Sequence, residues 1–334
     1  MKQSIKDMLD QIAEDRLILR DKMVWEADPN ALATLSAFLY AGAGRKADID
    51  RYVECKNYLK KTVSTFSEIR GIISALVITK MTLQDDYKTY LDGVVTVYKK
   101  LRSIHTLMAT PHMVLTACNI YEAGGLLKAD ENIAKLENVF DRLQANHFFL
   151  TSDEDRPFIA TLISRDVNID AIIDEIENCY NASKGMSFSK DSMHAASQIL
   201  ALSGKPTDEK VAELQATITA LKADGVGGMK YELMPVAAAL TFTDGSPEEK
   251  AAEIKEAYDY LKTKKGFGAL LSSTKRAMYA ALAYALCSIN SDTALFNSVI
   301  STSITNIIIN EIIDYIIIIS IVTSSTTSSI IANS

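Results

Sequence analysis

The residues best suited to chemistry fall in two short stretches. Thr151-Ser152-Asp153-Glu154-Asp155-Arg156-Pro157-Phe158 carries three adjacent acids and an arginine. Carboxylates set side by side can bind a divalent cation. Ser152 with Asp155 three residues on also reads as a capping box, with Asp in place of the longer Glu. Three acids and an arginine exceed what capping needs. Ser272-Ser273-Thr274-Lys275-Arg276-Ala277-Met278 holds the last basic residues of the chain. Hydroxyls beside Lys275 and Arg276 at a helix N-terminus can receive an anion. Basic side chains there oppose the helix dipole, so an acid partner within the fold is the competing expectation.

The other candidates are weaker. Of four histidines (His105, His112, His147, His194), none forms HExxH or a pair four residues apart, so no zinc motif is present. His112 and His194 fall at similar places near helix starts, where a composite ligand site could form. Asp85-Asp86 lacks the third aspartate that helical prenyl-transfer enzymes use, and reads instead as a helix start. Cys55, Cys118, Cys179 and Cys287 are far apart and sit among apolar residues, as core thiols in a reducing cytoplasm do. Gly225-Val226-Gly227-Gly228 fails the dinucleotide pattern and reads as a helix ending. No nucleophile elbow is present.

Whatever site exists must be positioned by helices. Only 14 Gly and 6 Pro occur in 334 residues, with 48% apolar and 7% aromatic residues, which disfavours a turn-rich β fold. A net charge of −7 and a pI near 5.3 argue against a nucleic-acid binder. No secretory h-region follows Met1. Six segments share apolar residues at relative positions 0, 3, 7 and 10, one stripe of a helix. They end at Leu59, Leu101, Leu143, Cys179, Leu221 and Leu261, at intervals of 42, 42, 36, 42 and 40 residues. The Ile49 copy is imperfect, because Lys56 interrupts its stripe. Each is followed by a shorter, Ala-rich apolar helix, such as Phe158–Ile163 or Tyr279–Leu286, which suits an inner layer. Acids open most of the outer helices and lysines close them, complementing the helix dipole.

The expectation is an all-α fold of about six helical hairpins of ~40 residues, stacked as an open solenoid, with a closed α/α toroid as the alternative. Residues 1–46 read as N-terminal helices, 47–290 as the hairpin domain, and 291–334 as an apolar helix with a Ser/Thr-rich tail. The segment Ile304–Val322 is long enough to span a bilayer and contains eleven Ile. Glu311 and Asp314 at its centre favour a packed cap or oligomer contact over membrane contact.

At Thr151–Phe158 and Ser272–Met278, within this helix rhythm, the chain resembles a bacterial family defined only as domain of unknown function 4003. The resemblance runs from about residue 10 to 300 and implies a cytoplasmic bacterial protein with no established activity. An Ala-rich C-terminal helix is expected of that family, whereas this chain has Ile there. The function expected is a scaffold for a protein or peptide partner, without enzymatic activity, cofactor, metal or nucleic acid. The alternative is a helical enzyme or a small-molecule or metal binder. That site would combine Asp153, Glu154, Asp155 and Arg156 with Lys275, Arg276, His112 or His194.

Overall fold

The computed structural model describes residues 1–288 except 25, 27, 106–109, 147–151, 164–167, 187–189, 227–232 and 270. Ile304–Val322, His147, Gly227, Gly228 and Met229 therefore lie outside the described residues. Those described form fourteen α-helices and no strand. The first seven are α1 (Gln3–Arg20), α2 (Pro29–Gly42), α3 (Ile49–Thr62), α4 (Ser74–Thr82), α5 (Tyr87–Ile104), α6 (Pro111–Glu122) and α7 (Ala129–Asn146). They continue with α8 (Arg156–Ile163), α9 (Ile169–Ala182), α10 (Lys190–Leu200), α11 (Thr207–Ala223), α12 (Met234–Leu240), α13 (Pro247–Lys262) and α14 (Ser273–Ser288).

Local chemistry sets the ends. Asp48 caps α3 by accepting from the Arg51 amide at 2.9 Å. Asp86 caps α5, accepting from the Lys88 and Thr89 amides at 3.1 Å each. The Asp85-Asp86 pair is thus a helix start. Ser246 and Glu249 form a reciprocal capping box on α13. After α11, Gly225 takes a left-handed φ of 68°. Val226 then turns back, its amide donating to the Leu221 carbonyl at 2.9 Å while its side chain is buried.

Burial alternates along the chain. The odd-numbered helices bury one stripe each: Leu91, Val94, Tyr98 and Leu101 in α5, and Val211, Leu214, Ile218 and Leu221 in α11. In α9 the stripe is half lifted, since Ile169 and Ile172 are only partly buried. The even-numbered helices are buried nearly all round: every residue of α8 and α12, and Arg276–Ala285 of α14 without a break. Lys56, the flaw in the Ile49 stripe, instead holds the loop after α1. Its ammonium donates to the Lys22 carbonyl at 2.7 Å and lies 3.8 Å from Glu26.

One apolar core runs from Ile5 to Ala285. It includes α1 and α2, the segment that the periodic template leaves aside. Those two helices pack on each other, α2 packs on α4, and α1 packs on α13 and α14. Polar rungs tie even-numbered helices at matching heights. Tyr40 meets Thr82 at 2.5 Å, Thr79 donates to Ser36 at 2.9 Å, and Asn119 donates to Thr161 at 3.1 Å. Lys80 donates to Glu122 at 2.9 Å and Gln198 to Asp155 at 2.5 Å. These bonds join residues 42 or 43 apart, and Asn119 also donates to the Pro157 carbonyl, 38 residues on, at 3.0 Å.

Candidate functional site

The two stretches singled out by chemistry turn out to be separate. Asp153–Asp155 forms a single 3₁₀ turn leading into α8. The expected capping box is present: Asp155 accepts from the Ser152 amide at 2.9 Å, and Ser152 accepts from the Glu154 amide at 3.3 Å. Arg156 lies within the fold. Its guanidinium grips both oxygens of Glu137 at 2.7 and 2.8 Å, bonds Asp153 at 3.0 Å, and rests 3.7 Å above the Phe140 ring. His105 stands 3.0 Å from the same Glu137.

Asp155 faces the other way, toward α10. Its second oxygen accepts from Gln198 and lies 3.4 Å from Nδ1 of His194, whose ring meets Tyr180 edge-on. Burial pushes the Asp155 carboxyl above the usual aspartate value, against the pull of His194 and of the two hydrogen bonds. The structure therefore brings together Asp153, Asp155, Arg156 and His194 of the expected set. Glu154 remains exposed beside them. His112 sits buried in the first turn of α6 and is not among the partners of Asp155.

Arg276 belongs elsewhere, because α8 and α14 do not pack closely on one another. The sequence predicts an acid partner or an anion for it, and it has backbone instead. It donates to the carbonyls of Phe267 at 2.6 Å, Leu271 at 2.9 Å and Gly268, and to the Tyr258 hydroxyl at 3.0 Å. A planar fork of donors suits several carbonyls converging at a loop end. Ser272 accepts from the Lys275 amide at 3.1 Å, so its hydroxyl serves as the helix cap. Among the described residues no three His, Cys, Asp or Glu side chains gather as a metal site requires. The cysteines are unpaired, and burial pushes Cys55, Cys118 and Cys287 up to about 11 and Cys179 to about 12. Such thiols are poor nucleophiles at neutral pH.

Sequence reasoning missed Glu137, Phe140 and Gln198. A usable signal existed for Gln198, which lies one period of 43 residues beyond Asp155. It also missed an apolar feature on the loops that lead into the even-numbered helices. Polar contacts occur near these loops: Ser74, the first residue of α4, donates to Glu26 at 3.2 Å, and Glu137 of α7 lies against both His105 and Arg156. Val24 and Phe66 on two of these loops are 58% and 98% exposed, and Ile104, the last residue of α5, is 52% exposed.

Comparison with known proteins adds a family. The family described as protein of unknown function, DUF4003, matches residues 18–317. The chain belongs to DUF4003. The match takes in α2 to α14 and reaches into the Ile-rich segment beyond the described residues. An uncharacterised protein of Bacillus subtilis, YeaA, is 24% identical over 237 residues, covering 68% of this chain and 69% of its own. No solved structure matches. DUF4003 membership thus agrees with the resemblance seen at Thr151–Phe158 and Ser272–Met278 and brings no activity with it. No helix among the described residues is long and apolar enough to cross a membrane.

Proposed function

We propose that this chain is a binding scaffold for a protein or peptide, built of seven helical pairs closed into a ring. The observation that carries the binding role is the nearly complete exposure of Phe66 on the loop before α4, with Val24 before α2 and Ile104 at the end of α5 also exposed. A phenylalanine in water contributes nothing to a monomer's core, whereas aromatic side chains anchor protein interfaces. The docking of α1 on α13 and α14 supports the ring over the open arc. The site-based alternative, an enzyme or small-molecule binder around Asp153–Asp155, is the weaker reading. Its charged groups are taken up by Glu137, Gln198, His194 and backbone carbonyls. Four unpaired cysteines suit a reducing compartment, so the proposal places the scaffold in a bacterial cytoplasm.

A photo-crosslinking residue at position 66 tests the reading in cells. Discrete adducts are expected at position 66, weakened by Val24→Ser with Ile104→Ser, and absent when the crosslinker replaces exposed Gln215. Adducts equal at both positions, or absent at 66, overturn the docking surface.

A further inference from the structure

The successive helical pairs do not join equally. α2 packs on α4, α6 on α8, α10 on α12 and α12 on α14, while α9 packs on α11 and α11 on α13. Between the pair α7/α8 and the pair α9/α10, by contrast, no helix of one packs closely on a helix of the other. Among the described residues, side chains bridge this joint. On the inner side, Asp155 takes the Gln198 bond at 2.5 Å and the contact with His194 at 3.4 Å. On the outer side, Arg142 of α7 bonds Asp170 of α9 at 2.6 Å, and both residues are exposed.

We propose that this joint is a hinge, and that Asp155, Gln198 and His194 form the clasp that holds it shut. The proposal rests on the ring reading above: with α1 docked on α13 and α14, release of the clasp turns a closed ring into an open arc. Backbone packing is cooperative and has to be lost as a unit, whereas a joint held by a few side chains opens when those few let go. An exposed ion pair such as Arg142–Asp170 adds little to the closed form, so among the contacts of the described residues the buried clasp weighs most. The same geometry gives roles to two of the three acids that precede α8. Asp153 anchors Arg156 to the α7/α8 side together with Glu137, and Asp155 is left to reach across to α10.

Distance measurements between spin labels test the hinge in the full chain with Cys287→Ser. Ala145 and Ala171, both exposed, flank the Arg142–Asp170 bridge and take the labels as A145C and A171C. Asn178 and Gln215, exposed on α9 and α11, form the control pair as N178C and Q215C. The expected result is two distances for 145–171, with the longer one gaining weight in Gln198→Ala. Loss of a hydrogen bond of this kind raises the open-to-closed ratio about fivefold or more. The control pair should keep one distance throughout. A single unchanged 145–171 distance, or equal broadening of both pairs, overturns the hinge. Failure of the ring reading shows separately, as absence of a carbodiimide crosslink between Lys264 and Asp10, whatever the 145–171 pair does.

Discussion

Lys210 and Lys250 are almost wholly shielded from solvent, at 1% and 0% exposure, and they do the same job. Each sits in the first turn of its helix and reaches a carbonyl ten residues back, at the end of the preceding even-numbered helix. Lys250 bonds the Leu240 carbonyl at 2.8 Å and Glu213 at 3.1 Å; Lys210 bonds the Leu200 carbonyl at 3.3 Å and Glu175 at 2.6 Å. Lys250→Met keeps the stem's volume but takes a charged donor from Glu213 and leaves the Leu240 carbonyl to Thr243 alone, at a cost of about 1–3 kcal/mol. A lower urea midpoint with an unchanged slope would register it. Gly93, inside α5, is a second single-residue test. A Cβ there would stand 2.0 Å from the Tyr121 ring. Helix propensity alone gives Gly93→Ala a gain of about 1 kcal/mol. Overpacking costs about 1–3 kcal/mol and wins, because the ring is held by the Tyr121 bond to the Thr89 carbonyl at 3.3 Å. Adding Tyr121→Ala should return part of that loss, since the two sites share one contact. Both lysines directly precede a template residue, so their recurrence was legible in the sequence. Their burial was not, because a lysine carries no mark of the carbonyl it will reach.

At the scale of elements, the sequence was most informative where local chemistry decides. Caps at Asp48, Asp86 and Ser246, the glycine ending at Gly225 and the α5 and α11 stripes all follow from residues within a few positions of one another. Contacts between elements were less legible, and they respond to pH in opposite directions. At the α1–α13 contact, burial raises the Asp10 carboxyl, but hydrogen bonds from Lys264 and Tyr260 outweigh it and leave the pKa lowered. At the α9–α11 contact, Glu175 is likewise raised by burial and lowered more by Lys210, Thr207 and Asn178. A lowered folded pKa gives stability that is present above the unfolded value and is lost as pH falls through the folded one. Asp155, raised by burial, has the reverse sign: acid favours its folded form. The α1–α13 contact should therefore loosen in acid below about pH 4, the ordinary range of an unfolded carboxylate. Amide exchange in α1 should rise there before that in α8. Asp10→Asn should be less stable than wild type near neutrality, with the gap closing as pH falls; a constant gap from pH 7 to 3 would show that Asp10 does not carry the effect.

At the scale of the whole molecule, the proposed ring turns on a contact that no periodic pattern can announce. A repeat records how each pair meets the next, and that local rule is the same for an arc and for a ring. Closure as proposed would rest on contacts between the two ends of the described chain: Tyr260 donates to Asp10 at 2.8 Å across 250 residues, Lys264 lies 2.5 Å from Asp10, and the Arg16 guanidinium lies 5.1 Å over Phe267. Gly266 fits the same place, since a Cβ on its left-handed backbone, φ 89°, would come within 2.0 Å of Arg16. Two experiments read closure directly. Carbodiimide treatment of the unaltered chain should join Lys264 to Asp10, detectable as one linked peptide. Met8→Cys should be trapped under oxidation as an intramolecular disulfide with Cys287, because the Met8 side chain packs on the Cys287 sulfur at 3.6 Å and a small shift of α1 on α14 makes up for the shorter Cys side chain. Tying such distant positions removes much of the unfolded chain's freedom and should stabilise the fold by about 2–4 kcal/mol. An open arc gives neither product: its ends meet only between molecules, so crosslinks would appear as dimers that vanish on dilution. A ring gives both within one molecule at any concentration, and oxidised Met8→Cys should then keep α1 protected in acid even after Asp10 has taken up its proton.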